Sequence, residues 1–138
     1  GLSCVKQNGK WGYINTKGEA MIPRTFEEAE NFSEGLARVK QNGKWGYINT
    51  KGEVAIPCTY REVGDFNGGL ARVKQNGKYG TINRKGEVVV PCIYNWITDF
   101  SEGLTKIEKG KSWSIINQEG KVIVANCDRS TQWSKVEE

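Results

Sequence analysis

Apolar and polar residues alternate over short stretches of this chain, and turns rich in Gly and Asn separate the stretches. Alternation with a period of two predicts half-buried β-strands. Three such stretches follow one another, at 36–41, 44–49 and 54–60. Asn42-Gly43 predicts a type I′ hairpin turn between the first two, because both residues tolerate positive φ, and Gly52 predicts the second turn. The pattern therefore predicts a three-stranded meander.

The same pattern recurs along the whole chain with a step of 34 residues. The aromatic residue of the second strand shows the step most clearly, at Trp11, Trp45, Tyr79 and Trp113. No insertion disturbs the register, and self-similarity at a fixed period is typical of tandem repeat proteins. We therefore predict one all-β repeat domain over 1–138, with repeats at 1–34, 35–68, 69–102 and 103–136.

The third strand of each repeat is predicted to supply the apolar core. Its alternate positions lie on one face, and in the two middle repeats they are Val54, Ile56, Cys58 and Tyr60, then Val88, Val90, Cys92 and Tyr94. Pro57 cannot donate a ladder hydrogen bond, so this strand is predicted to lie at an edge or to contain a bulge. Residues 61–66 lack the alternation and are predicted to form a short helical turn.

A meander of this size cannot bury its apolar face alone, so neighbouring repeats are predicted to stack on one another. The position of Cys58 and Cys92 is Arg24 in the first repeat and Asn126 in the last. A position that is apolar inside and polar at both ends favours an open, solenoid-like stack. The alternative is a closed, propeller-like ring.

The blocks at 42–48 (Asn-Gly-Lys-Trp-Gly-Tyr-Ile), 56–57 (Ile-Pro) and 66–73 resemble the WG repeat family, also called KWG repeats. The resemblance implies a β-repeat interaction module of the kind found widely in bacteria, and it supplies no catalytic residue. The fourth repeat departs from the pattern, since Ser114 and Ala125 replace the Gly and the Pro. We interpret this repeat as a cap.

Residues suited to catalysis are scarce. The chain has no His, which removes the commonest general base, and its four cysteines at 4, 58, 92 and 127 lack the paired spacing of a metal site. We interpret Cys58 and Cys92 as small buried residues with free thiols; the alternative is a disulfide between them. The densest carboxylates, Glu27, Glu28, Glu30 and Glu34, are interpreted as the solvated face of a short helical turn. The sequence predicts no enzyme, no metal site and no cofactor.

Lys and Arg recur at fixed repeat positions, and stacking would turn them into ladders of positive charge on a chain of net charge +4. With an aromatic side chain as anchor, such a surface suits an anionic group. The candidate ligand- or partner-binding residues are Arg38, Lys40, Lys44, Trp45, Arg72, Lys74, Lys78 and Tyr79. Under the competing interpretation, the lysines discourage edge-to-edge aggregation and the aromatics fill the core.

Three functions follow from these patterns. The leading hypothesis is a scaffold that binds a protein or peptide, since stacked repeats create extended surfaces. The alternatives are a binder of a small anionic ligand or nucleotide, and a binder of cell-surface glycans. The charge is too mild to indicate nucleic acid, and no apolar run approaches the roughly 20 residues of a membrane span. Unpaired-looking cysteines favour a reducing, cytoplasmic location. The sequence makes no prediction of the oligomeric state.

Overall fold

The computed structural model describes residues 1–98, 103–128 and 134–135, with side chains for 1–98 and 103–124. The described residues form strands and turns without a helix, and the predicted all-β class is confirmed. In chain order the strands are β1 (Ser3–Gln7), β2 (Lys10–Ile14), β3 (Ala20–Phe26) and β4 (Glu28–Ala29) in the first repeat; β5 (Leu36–Gln41), β6 (Lys44–Asn49), β7 (Val54–Tyr60) and β8 (Glu62–Val63) in the second; β9 (Leu70–Gln75), β10 (Lys78–Asn83), β11 (Val88–Tyr94) and β12 (Trp96–Ile97) in the third; and β13 (Leu104–Lys109), β14 (Ser112–Asn117), β15 (Val122–Asp128) and β16 (Ser134–Lys135) in the fourth.

The first three strands of each repeat form the predicted antiparallel meander. The chain divides into two compact units, 1–65 and 66–138. The first unit contains the sheets β1-β2-β3 and β4-β5-β6-β7. In the second unit, β9, β10 and β11 are neighbours in one sheet, and β12 to β16 form another in chain order. None of these sheets closes on itself among the described strands.

Each unit buries residues of two successive repeats in a common core. In the first unit, Tyr13 and Ile22 of the first repeat lie in one cluster with Ala37, Val39 and Ile48 of the second. In the second unit, Val90 and Ile97 cluster with Ile107 and Ile116 of the fourth repeat in the same way. This is the predicted stacking within each unit, and removal of apolar surface from water stabilises it by about 25 cal/mol per Å².

The predicted core face of the third strand is only partly right. Ile56 and Val90 are buried, but Val54 and Val88 are 65% and 63% exposed. The reason is an irregular register between β6 and β7. Trp45 pairs with Tyr60 and Tyr47 with Ile56, so three residues on β7 face the single residue between Trp45 and Tyr47, and the next pair shifts again. Such a bulge interrupts the alternation of faces.

The residue between them is Gly46, and the bulge explains why it is Gly. A Cβ there would lie 2.5 Å from the Ile56 carbonyl oxygen and 2.7 Å from backbone atoms of Pro57 and Cys58. Pro57 lies in this bulge, on the edge strand of its sheet, so the predicted placement is confirmed.

The fourth repeat has a smaller bulge at the same place. Trp113 pairs with Cys127 and Ile115 with Val124, so only two residues face Ser114. The shorter bulge accompanies the loss of both the Gly and the Pro. Of the two end positions that suggested an open stack, Arg24 is exposed, and the side chain of Asn126 lies outside the described residues.

The predicted helical turns are wrong. Residues 62–63 form the short strand β8, and the acidic segment of the first repeat contains β4. The backbone of β4 pairs with β5, with Glu28 opposite Lys40 and Ala29 opposite Val39. The sheet of the following repeat therefore satisfies the backbone groups that a helix would have paired internally.

A buried hydroxyl ties the loop after each of the first three meanders to its unit. The Tyr13 hydroxyl donates to the Glu30 carbonyl (2.6 Å), and Tyr47 donates to Gly64 (2.5 Å). The third repeat has the smaller Thr81 at this position, buried and with its Oγ1 unpaired among the described residues. There the matching carbonyl, that of Thr98, accepts a hydrogen bond from Thr105 Oγ1 instead.

Candidate binding surface

In the first unit, two cations and an aromatic ring from the predicted set lie together. Arg38 and Lys40 are two residues apart on β5 and so share a face, and Lys40 pairs across the ladder with Trp45 on β6. The Arg38 guanidinium lies 5.7 Å from the centre of the Trp45 ring, within the range of a cation–π contact.

Acidic side chains of the same unit neutralise these two cations. Arg38 Nε lies 2.9 Å from Asp65 Oδ1, and Lys40 Nζ lies 3.3 Å from Glu28 Oε2. Glu28 and Asp65 are about half exposed, so each pair contributes at most about 1 kcal/mol. Arg38 and Lys40 are thus already bound to carboxylates of the chain.

The second unit contains a more aromatic version of this arrangement. The Arg72 guanidinium lies 5.8 Å from the Tyr79 ring centre and 5.0 Å from that of Trp96, and Lys74 Nζ lies 5.2 Å from Tyr79. The two rings meet edge to face, with centres 5.1 Å apart. Arg72 Nη1 also donates to the Ile97 carbonyl (3.0 Å), which holds the guanidinium beside both rings. We call Arg72, Lys74, Tyr79 and Trp96 the Trp96 surface.

Trp96 was missed by the sequence reasoning, although the repeat register contains a signal for it. Its counterparts in the first two repeats are Glu28 and Glu62, so the third repeat places a large aromatic residue where the others place a carboxylate. Trp96 is 40% exposed. Ile93 departs similarly, since it is 43% exposed and its counterparts are Thr25 and Thr59.

Lys44 and Lys78, the remaining predicted residues, are exposed and begin the second strand of their hairpins. Each follows the turn directly and pairs with a Gln across the ladder. The structure thus groups six of the eight predicted residues around Trp45 and Tyr79, and places these two lysines at the hairpin ends. Whether any of the eight binds a ligand stays a prediction.

Tyr79 fits both competing interpretations of the aromatic residues, as part of the core and as part of a surface. Tyr79 is partly buried and packs against the core of the second unit, yet it also contacts Arg72, Lys74 and Trp96. One part of the ring therefore stabilises the repeat, while another contributes to the Trp96 surface.

Glu27 has a role that the sequence reasoning did not foresee. Its carboxylate accepts two hydrogen bonds from the hairpin turn of the second repeat, from the backbone N–H of Asn42 (3.0 Å) and that of Gly43 (3.0 Å). In the fourth repeat the Asn95 side-chain oxygen likewise accepts from the Gly110 N–H (2.7 Å). These turns are thus sites where backbone donors hold an oxygen atom.

An open cavity of about 240 Å³ lies at the second turn of the third repeat, lined by Gly69, Asn83, Arg84, Lys85 and Glu87. Asn83 organises this turn, because its Oδ1 accepts from the N–H groups of Lys85 and Glu87. The lining of the cavity carries both signs of charge, with Arg84 and Lys85 beside Glu87.

The described residues include no group of three or more His, Cys, Asp or Glu that could hold a metal ion. Cys4, Cys58 and Cys92 are free thiols, so a Cys58–Cys92 disulfide is not formed. Desolvation by burial is the largest cause that raises the pKa of each of these thiols. Thiols with a raised pKa are poor nucleophiles at neutral pH. No helix in the described part of the chain is long and apolar enough to cross a membrane.

The family model for the WG containing repeat matches three consecutive segments, at 11–45, 45–79 and 79–113. The chain belongs to the WG repeat family. Each match begins and ends at the aromatic residue of the second strand, so the resemblance seen in the sequence is confirmed. No protein in a curated collection matches the chain. In this WG repeat protein, the Gly of the Trp-Gly pair lies against the backbone of the third-strand bulge that contains the Pro.

Proposed function

We propose that this WG repeat protein is a non-catalytic interaction module that binds a protein or peptide partner at the Trp96 surface. The proposal rests above all on Trp96 itself. A Trp that is 40% exposed stands where two preceding repeats have Glu, and a neighbouring Tyr and Arg hold it in place. Trp, Tyr and Arg are the residues most enriched at the energetic centres of protein interfaces.

The chemistry of the chain supports binding rather than catalysis. It contains no His, and burial raises the pKa of its described thiols. The open cavity near Asn83 has a volume of about 240 Å³ and a charged lining, whereas sites for small molecules are mostly apolar clefts of about 300–1,000 Å³. A partner that covers an exposed surface suits this molecule better than a ligand enclosed in a cleft.

Site-specific photo-crosslinking in cells that naturally produce the protein tests the proposal. A benzophenone amino acid at position 74, which lies on the same face of the hairpin as Tyr79, reports contacts at the Trp96 surface. Position 40 is the counterpart of position 74 in the second repeat and serves as the matched control.

We expect a discrete protein or peptide adduct from position 74, none from position 40, and loss of the adduct when Trp96→Glu is added. Glu is the residue that the first two repeats carry there, but the cross-strand partner of position 96 is Glu108, so circular dichroism checks that the variant is folded. Equal adducts from both positions, or an adduct that survives Trp96→Glu, would contradict the proposal.

A further inference from the structure

The hairpin turn at Asn76–Gly77 repeats the geometry of a turn that already holds a carboxylate. Asn42 and Gly43 have φ of 52° and 77°, and Asn76 and Gly77 have φ of 51° and 78°. Both turns have the same sequence and join the same two strands of the repeat. Because Glu27 binds both N–H groups of the Asn42–Gly43 turn, this turn conformation aims two backbone donors at one anionic group.

The third repeat lacks the carboxylate that occupies the turn in the second. By the 34-residue step, the counterpart of Glu27 for the Asn76–Gly77 turn is Arg61 of the second repeat, whose guanidinium has donors and no acceptor. The N–H groups of Asn76 and Gly77 meet no acceptor among the described residues. In the second repeat, the two N–H groups of the turn thus bind a carboxylate of the chain. In the third repeat, the same two N–H groups have no acceptor among the described residues.

The turn at Asn76–Gly77 is close to the Trp96 surface. Only the Gln75–Lys78 pair separates it from the Lys74–Tyr79 pair in the ladder. Two residues of a strand span roughly 7 Å, which is within the reach of neighbouring side chains of one bound peptide. The exposed Lys78 adds positive charge beside the turn.

From these observations we propose that the Asn76 and Gly77 N–H groups bind a carboxylate of the partner. The partner segment at the Trp96 surface is then an acidic peptide, with an Asp or Glu side chain on the turn and an apolar side chain against Trp96. This rests on the proposed function, to which it adds the chemistry of the partner. The bound carboxylate takes the place that Glu27 has in the second repeat.

Amide NMR of the full chain, labelled with ¹⁵N, tests this residue by residue. The probe is a capped peptide of alternating Glu and Leu, and the control peptide has Gln in place of Glu. With the Glu peptide we expect the Asn76 and Gly77 amide peaks to move and those of Asn42 and Gly43 to stay, because Glu27 occupies the latter turn. The Gln peptide should bind about tenfold more weakly, since a hydrogen bond to a charged acceptor is stronger than one to a neutral acceptor.

A substitution in the first unit supplies the converse test. Glu27→Arg introduces the residue found at position 61 and removes the resident carboxylate, so the Asn42 and Gly43 peaks should begin to respond to the Glu peptide. If this variant does not fold, Lys78→Glu provides a second test, because a carboxylate beside the turn should weaken the Asn76 and Gly77 response.

The outcomes separate this inference from the proposed function. If the Trp96 indole peak moves equally with both peptides while Asn76 and Gly77 stay still, the carboxylate site is overturned and the Trp96 surface stands. If no peak moves with either peptide, or if Asn42 and Gly43 move as much as Asn76 and Gly77, the inference also fails. In those cases the crosslinking result alone decides the proposed function.

Discussion

Gly46 shows how one residue of the Trp-Gly pair is fixed by the strand beside it. Its φ is not in the left-handed region, so no special conformation requires Gly there. The requirement is steric, because a Cβ would lie within 2.7 Å of backbone atoms of Ile56, Pro57 and Cys58. Backbone atoms within a ladder cannot move aside as the end of a flexible side chain can.

Gly46→Ala should therefore lower the free energy of unfolding by at least about 2 kcal/mol, a typical cost of overpacking. Urea denaturation measures it. Ser114→Ala is the matched control, since the fourth repeat already has a Cβ at this position and a shorter bulge, and it should change stability by less than about 0.5 kcal/mol. Equal losses of unfolding free energy for the two variants would show that the bulge is not the reason for Gly at position 46.

The Tyr13 hydroxyl makes stability depend on pH at the alkaline end. Desolvation by burial is the largest cause that raises the pKa of Tyr13 well above its ordinary value, and Cys4 and Glu30 add to the effect. Below about pH 10 the hydroxyl is protonated in both the folded and the unfolded chain. Above that pH the unfolded chain loses the proton first, so the stability of the folded state falls as pH rises.

Tyr13→Phe removes this dependence together with the hydrogen bond to the Glu30 carbonyl. At about pH 8 the variant should be less stable than the wild type by about 1 kcal/mol, the net contribution of a typical hydrogen bond. By about pH 11 the difference should shrink, because only the wild type loses stability through this group. Denaturation at both pH values measures the difference, and a gap that widens with pH would contradict the assignment.

A single Asn side chain organises the turn between the second and third strands of the repeat. In the second repeat, Asn49 Oδ1 accepts hydrogen bonds from the N–H groups of Lys51 (2.9 Å) and Glu53 (3.0 Å), and Asn49 Nδ2 donates to Glu53 Oε1 (2.9 Å). One side chain thus satisfies two backbone donors and positions a carboxylate. Asn fulfils both roles because its amide contains an acceptor and a donor.

Asn49→Ala should cost about 1–2 kcal/mol of stability, because both backbone donors lose their acceptor at a partly solvated turn. Thermal or urea denaturation provides the measurement. Thr50→Ala is the control, since Thr50 is exposed and its counterparts in the third and fourth repeats are the unrelated residues Arg84 and Gln118. The prediction fails if the Thr50 variant is destabilised as much as the Asn49 variant.

Regular elements of this protein were predictable from local sequence, and its irregular ones were not. Alternation and the Asn-Gly turn predicted β5, β6 and β7 because these signals act between residues close in sequence. The exposure of Val54 was missed because it depends on the bulge register between two strands. The short strand β4 was missed for a related reason, since its partner belongs to the next repeat.

The same distinction applies to the candidate site. Arg72, Lys74 and Tyr79 were predicted from their recurrence, and the structure brings them together. Trp96 was missed because it breaks the recurrence, and Glu27 because its partners are backbone N–H groups 15 and 16 residues away. In a repeat protein, residues that recur in every repeat indicate the scaffold. Residues that differ between repeats indicate where a surface has acquired its own chemistry.

On the scale of the whole molecule, repeats of nearly identical sequence provide internal controls for function. Shared residues such as Tyr13 and Tyr47 are buried and fix the loops, so we assign stability to them. The third repeat adds an exposed Trp and lacks the carboxylate that binds the hairpin turn of the second. We therefore assign partner binding to this repeat rather than to the array as a whole.

The most direct test is the affinity of the crosslinked partner for the Trp96→Glu protein, compared with wild type and with Val54→Thr. Val54 is a 65% exposed apolar residue of the first unit, and its variant controls for the loss of exposed apolar surface in general. Loss of an interface centre costs at least about 2 kcal/mol, so we expect Trp96→Glu to weaken binding about thirtyfold or more. Val54→Thr should bind like wild type. Wild-type affinity in Trp96→Glu, measured on protein shown to be folded, would contradict the assignment of binding to the third repeat.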